Sequence, residues 1–180
     1  FGRISSYIMI LARNKKNLLA SLDFYRSFLQ NVNAEDFEKI PNDGGWSLGQ
    51  IYSHIIGANK MSHIAFEKCL SKTAELKTRK PHWKVRLILF FGKFPPGKIK
   101  APEAVAAAVK SFTKEEASNQ LIKFIKKVEE YDYNSKNLDV NYKMKHPRLG
   151  YLDALSWSRF MVIHTNHHQK QVKNTYKAIA

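Results

Sequence analysis

His164 and His168 lie four residues apart. On a helix that spacing puts two imidazoles on one face, about 6 Å apart along the axis. Two rings so placed can close on a single metal ion, as the paired histidines of helical zinc sites do. A pair alone holds an ion weakly, so a third ligand must come from another helix, and His54 is the best candidate. His167, between the two, sits near the edge of their face. It is taken as a non-ligand that either supports the ligands by a hydrogen bond or shuttles a proton. Without a metal, the same imidazoles would simply satisfy a polar core.

These histidines need a scaffold, and the sequence patterns supply helices. Over residues 15–32, Leu18, Leu22, Tyr25, Leu29 and Val32 alternate by four and three, the seam of a bundle helix. Residues 33–45, with Pro41, Asp43, Gly44 and Gly45, make a loop. Ser47 with Gln50 three residues on is a capping box that opens a second helix. Its buried stripe is Leu48, Ile51, Ile55, Ala58 and Ala65. His54 falls about 60° from Ile51 on the helical wheel and points to the apolar side. His63 falls about 120° from Ile51 and is expected to be exposed.

Residues 72–102 form a crossover with Pro81, Pro95, Pro96 and Pro102, and residues 83–91 within it suit a short extra helix. Its aromatic residues are expected to cover the bundle end or line a pocket; the lysines among them also suit a membrane surface. A third helix starts at Thr113, capped with Glu116, and its seam is Ala117, Leu121, Phe124, Val128 and Tyr131. Residues 133–150 form a polar connection. The last helix covers residues 154–178, with Asp153 as N-cap. Trp157, Phe160, Met161, His164, His168, Gln171, Val172 and Thr175 share its inner face. Without convincing strands, the fold class is all-α, a four-helix bundle with a long crossover between the second and third helices. The 180 residues suit one domain, with residues 1–14 as an N-terminal extension.

Composition narrows the chemistry. A single cysteine, Cys69, rules out an internal disulfide framework and a cysteine-rich zinc site, so any metal must sit on imidazole or carboxylate. The lone thiol suits a reducing, cytoplasmic setting. The apolar run at residues 87–91 is too short to span a membrane. No Glu-x-x-His motif occurs, which disfavours a di-iron carboxylate bundle. Thirty Lys and Arg against fifteen Asp and Glu leave a net charge of +15. Between residues 67 and 100, ten Lys and Arg face two Glu, so about half of the excess lies there. That charge either solvates a face or attracts an anionic substrate, nucleic acid or membrane. No nucleic-acid motif accompanies it.

Three stretches together resemble the DinB-like (DinB/YfiT-like) family of helical metalloproteins. Gly45-Trp46-Ser47-Leu48-Gly49-Gln50 followed by His54 is similar to the family's tryptophan-serine approach to a histidine-bearing second helix. His146-Pro147-Arg148-Leu149-Gly150 followed by Trp157 is similar to its histidine-proline-x-x-glycine connection. His164, His168 and Gln171 resemble its last-helix H-x-x-x-H-x-x-Q pattern. The resemblance runs from about residue 15 to the end. It implies a four-helix bundle with one divalent ion, zinc or nickel, held by His54, His164 and His168. Neither residues 1–14 nor the strong basicity is explained by it.

Three neutral imidazoles with an open fourth position describe a catalytic rather than a structural site. The expected activity is metal-dependent: a hydrolase using metal-activated water, or a transferase using a low-molecular-weight thiol, on a small molecule, anionic or neutral. No general base is assignable. The alternative is a non-enzymatic basic module for nucleic acid or anionic lipid, with a structural or vestigial metal site. A homodimer is a further expectation.

Overall fold

A computed structural model describes residues 2–96, 109–133 and 138–179. The expected crossover and polar connection therefore lie partly outside the described residues, at 97–102, which includes Pro102, and at 134–137. The described chain is mostly helical. Its helices are α1 (Gly2–Asn31), α2 (Ala34–Glu38), α3 (Leu48–Leu70), α4 (Trp83–Phe91), α5 (Lys114–Glu130) and α6 (Ala154–Ile179). Three short strands, β1 (Glu75–Leu76), β2 (Tyr142–His146) and β3 (Gly150–Leu152), form an antiparallel sheet in that order.

Local chemistry sets the helix starts. Ser47 Oγ accepts from the Gln50 N–H while Gln50 Oε1 accepts from the Ser47 N–H, so both partners of the capping box are satisfied at the head of α3. Thr113 and Glu116 do the same for α5. Asp153 Oδ1 accepts from the Ser156 N–H at the start of α6. Gly49 sits where α3 passes the backbone at Phe112; a Cβ there would lie 2.3 Å from the Phe112 carbonyl oxygen. Only glycine allows this approach.

The seams pack as their periodicity requires. Leu18, Leu22, Tyr25, Leu29 and Val32 are all buried, as are Leu48, Ile51, Ile55 and Ala65, while Ala58 is half-buried. Helices α1 and α3 each lie against both α5 and α6. Burying each leucine, isoleucine and valine of these seams contributes roughly 1.5–3 kcal/mol before the entropy of ordering it is subtracted.

Several expectations need correction. Helix α1 begins at Gly2, not near residue 15, and Leu11 and Asn14 are buried along it. Asn14 Nδ2 donates to Ser158 Oγ at 2.9 Å, which ties this first part of α1 to α6. Strand β2 lies inside the polar connection, and β3 begins at its last residue, Gly150. The connection's lysines disguise them: Lys143 is buried, and its ammonium group donates to the carbonyls of Lys77 and Arg79 at 2.6 and 2.8 Å. A buried cation so satisfied leaves no alternating apolar signal in the sequence. His63 is fully buried, not exposed. Its helix packs against α5 as well as α6, so its covered arc is wider than one stripe, and Phe124, Tyr131 and Tyr133 close over the ring. Helix α4 forms over residues 83–91 as expected, yet Trp83, Leu87, Phe90 and Phe91 face outward and pack no core.

Candidate metal centre

His54 stands on α3, two turns beyond its cap, and His164 and His168 stand one turn apart on α6. α3 and α6 pack directly against each other. A polar cluster fixes their register beside the histidines. Asn59 Nδ2 donates to Thr165 Oγ1 at 2.9 Å, and that hydroxyl donates to the Met161 carbonyl at 2.7 Å. The Tyr25 hydroxyl donates to the Thr165 carbonyl at 2.6 Å, and the Tyr52 hydroxyl to the Tyr25 carbonyl at 2.9 Å. All these groups are buried and paired, so sliding one helix past another would strand several of them.

The packing brings the three rings together. Ring centroids are 5.2 Å apart for His54 and His164, 4.9 Å for His54 and His168, and 4.6 Å for His164 and His168. One nitrogen from each ring lies within 4.8 Å of the others, a group able to hold a metal ion. Among the described residues no carboxylate or thiol joins it. The two α6 nitrogens, His164 Nε2 and His168 Nε2, face each other at 3.2 Å. Two ligands each about 2.0–2.1 Å from a tetrahedral zinc ion stand about 3.3–3.4 Å apart, so this spacing fits shared coordination.

The surroundings set protonation and tautomer. His168 Nδ1 donates to Gln171 Oε1 at 2.6 Å, which places its proton on Nδ1 and leaves the Nε2 lone pair aimed at the cluster. His164 Nδ1 is buried and has no hydrogen-bond partner among the described residues. Burial, and then the nearby imidazoles of His168, His54, His167 and His146, hold His164 well below the ordinary histidine range. Burial is the main cause that pushes His168 down to about 4, against the Gln171 hydrogen bond, which acts the other way. Burial also lowers His54. All three rings are therefore neutral near pH 7 and offer lone pairs, the form a metal requires.

Aromatic side chains wall the cluster. The Trp46 ring lies 5.4 Å from His54, and Phe160 stacks on His164 at 5.3 Å. Phe94, from the crossover, reaches Phe160 at 6.4 Å and His167 at 5.2 Å. No sequence signal distinguished Phe94 from its exposed aromatic neighbours. His167 is exposed and stands outside the three-ligand group, although its ring is 5.3 Å from that of His168. His146 carries no ligand role, yet it belongs to the surroundings. Its ring lies 4.6 Å from Phe160, and its Nδ1 accepts from the Arg148 and Leu149 N–H groups, both at 3.1 Å, shaping the β2–β3 turn. Burial, then the Arg148 charge, lowers it to about 4.

Cys69 offers no alternative nucleophile. It is buried, its thiol faces the Leu152 carbonyl at 3.6 Å, and burial pushes its pKa up to about 12. No helix among the described residues is long and apolar enough to cross a membrane.

Compared with known proteins, residues 18–172 match the sequence profile of the DinB superfamily. That span holds all three histidines together with Trp46 and Gln171. No curated protein and no solved structure matches the chain significantly.

Proposed function

The chain belongs to the DinB superfamily, whose members in general bind metal, and from that premise we propose that it is a metal-dependent enzyme acting on a small molecule. His54, His164 and His168 hold one divalent ion, zinc or nickel, inside a four-helix bundle of α1, α3, α5 and α6. The observation that carries this reading is the convergence of three neutral imidazoles from two helices within 4.8 Å. The 3.2 Å approach of the two α6 Nε2 atoms agrees with it.

When bound, a divalent ion with three protein ligands supplies a Lewis acid to a fourth, so that water or a low-molecular-weight thiol becomes a nucleophile near neutral pH. The protein's own part is positional. Gln171 keeps the His168 proton on Nδ1. Trp46, Phe160 and Phe94 limit the water around the rings. His167, exposed beside His168, carries protons between the site and solvent. Hydrolysis and thiol transfer both suit this arrangement, and whether water or a thiol takes the open position decides between them.

The test is metal analysis of protein purified without a nickel column, with wild type and His54→Ala prepared side by side. About one equivalent of divalent metal per chain is expected in the wild type and a small fraction of that in the variant. Equal content in the two removes His54 from the site. Metal-dependent ester hydrolysis or thiol conjugation that disappears in His164→Ala supports the enzyme. DNA retention that survives all three His→Ala changes would support a basic binding module instead.

A further inference from the structure

Helix α4 has apolar side chains on both of its sides. Its inner side is Val85, which is buried, with Ile88 and Leu89 half-buried. At 100° per residue these three occupy an arc of about 100°. The opposite arc, also about 100° wide, carries Trp83, Leu87, Phe90 and Phe91. Their exposures are 58%, 45%, 78% and 61%, so nothing among the described residues covers them. Lys84 and Arg86 fall on the two edges of that outer arc. An ordinary surface helix turns charged residues outward at its centre; this one turns out aromatic and aliphatic residues and keeps cations at the margins.

The charge flanking α4 in the sequence is nearly all positive. Between residues 72 and 96 the sequence has Lys72, Lys77, Arg79, Lys80, Lys84, Arg86 and Lys93 against a single acid, Glu75. Glu75 is already engaged, 3.3 Å from Lys77 Nζ and 3.2 Å from the Tyr151 hydroxyl. A second copy of this chain would set these cations against their own counterparts. Nucleic acid would meet the cations but would leave Leu87 in water.

We propose that α4 is a docking element for an anionic lipid surface. It lies in the plane of the headgroups, with Trp83, Leu87, Phe90 and Phe91 buried toward the acyl boundary and Lys84, Arg86 and their basic neighbours against lipid phosphates. Nine residues make a helix about 14 Å long, too short to span a bilayer and suited to lying on it. The element is held firmly enough to act as a unit. Gly92 ends it in the left-handed conformation with φ +70°, and Arg159 Nε from α6 donates to the Leu89 carbonyl at 3.2 Å. Two residues past Gly92, Phe94 turns inward to the wall of the histidine cluster. Docking therefore brings that cluster close to the lipid surface. The proposal does not rest on the metal reading and stands or falls separately from it.

The experiment is sedimentation of the full chain with vesicles of phosphatidylglycerol and phosphatidylcholine, and with vesicles of phosphatidylcholine alone. Acyl-brominated lipid in the same vesicles reports tryptophan depth. Wild type should bind the anionic vesicles, release them as salt rises, and show quenching that is lost in Trp83→Phe. The double change Phe90→Ser/Phe91→Ser should lower partitioning by roughly tenfold or more. Lys84→Glu/Arg86→Glu should do the same, while Met61→Ser, an exposed apolar side chain on α3, should have no effect. Anionic-vesicle binding that is unchanged in the double-serine variant would show that net charge alone attracts the protein and would overturn the proposal. So would a wild-type dimer that the same variant converts to monomer, or single-stranded DNA binding that it abolishes while vesicles are ignored.

Discussion

At the residue scale the centre depends on which nitrogen of each ring keeps its proton. Gln171 makes that choice for His168, because its amide oxygen can only accept and so draws the proton to Nδ1. Gln171→Leu removes the acceptor and keeps the bulk. Metal affinity, measured by competition with a chelating dye, should fall about 10- to 100-fold, whereas His167→Ala should leave it within a factor of about two. An unchanged affinity in Gln171→Leu would mean that the hydrogen bond does not orient the ring. The pair His164 and His168 was legible from spacing alone, since four residues on a helix set both rings on one face. The role of Gln171 was legible only through a resemblance. Phe94 could not be told apart from the other crossover aromatics, because an aromatic in a proline-rich stretch carries no periodicity to say which way it turns.

Elements hold those residues in register. The Asn59–Thr165 hydrogen bond joins α3 to α6 within about one and a half turns of His54 and beside His164. Asn59→Ala leaves a small cavity and a thinned polar cluster. It should cost about 1–3 kcal/mol by urea denaturation, with metal affinity falling as well because the helices that carry the ligands are freed to slide. A midpoint equal to wild type would show that packing alone fixes the register. The capping boxes at Ser47 and Thr113 were readable because each is closed within four residues. The β2–β3 hairpin was not, because Lys143 is buried by the carbonyls of Lys77 and Arg79, which lie in the crossover far away along the chain. His63 was placed on the wrong side because a helix wheel shows direction and not how many neighbours cover it.

For the whole molecule, the consequence is a stability that depends on pH. His146 and His168 are each lowered to about 4 from the ordinary 6.5. The folded chain therefore refuses protons that the unfolded chain accepts between those values. Stability is complete above about pH 6.5 and declines as pH falls towards 4, with a slope per group below the ~1.4 kcal/mol per pH unit of a fully enclosed site. Thermal unfolding of metal-free protein at a series of pH values should show the midpoint falling through that window. Midpoints that stay level would show the histidines to be ordinary. Saturating zinc, at about a hundredfold over its dissociation constant, should add about 2.7 kcal/mol near neutral pH and less as protons compete for the same lone pairs. His54→Ala should lose most of that gain, because the ion then bridges no helices.

By itself the sequence determined what is local or periodic: the capped starts of α3, α5 and α6, the apolar seams, the span of α4 and the spacing of His164 and His168. Only the tertiary structure decided that His54 meets that pair across more than a hundred positions, that His63 is enclosed, and that the aromatic residues of α4 face out. The division has a physical cause. Hydrogen bonds and wheel positions within a helix depend on neighbours a few residues away, whereas register between helices and the covering of a face depend on groups that no short pattern connects.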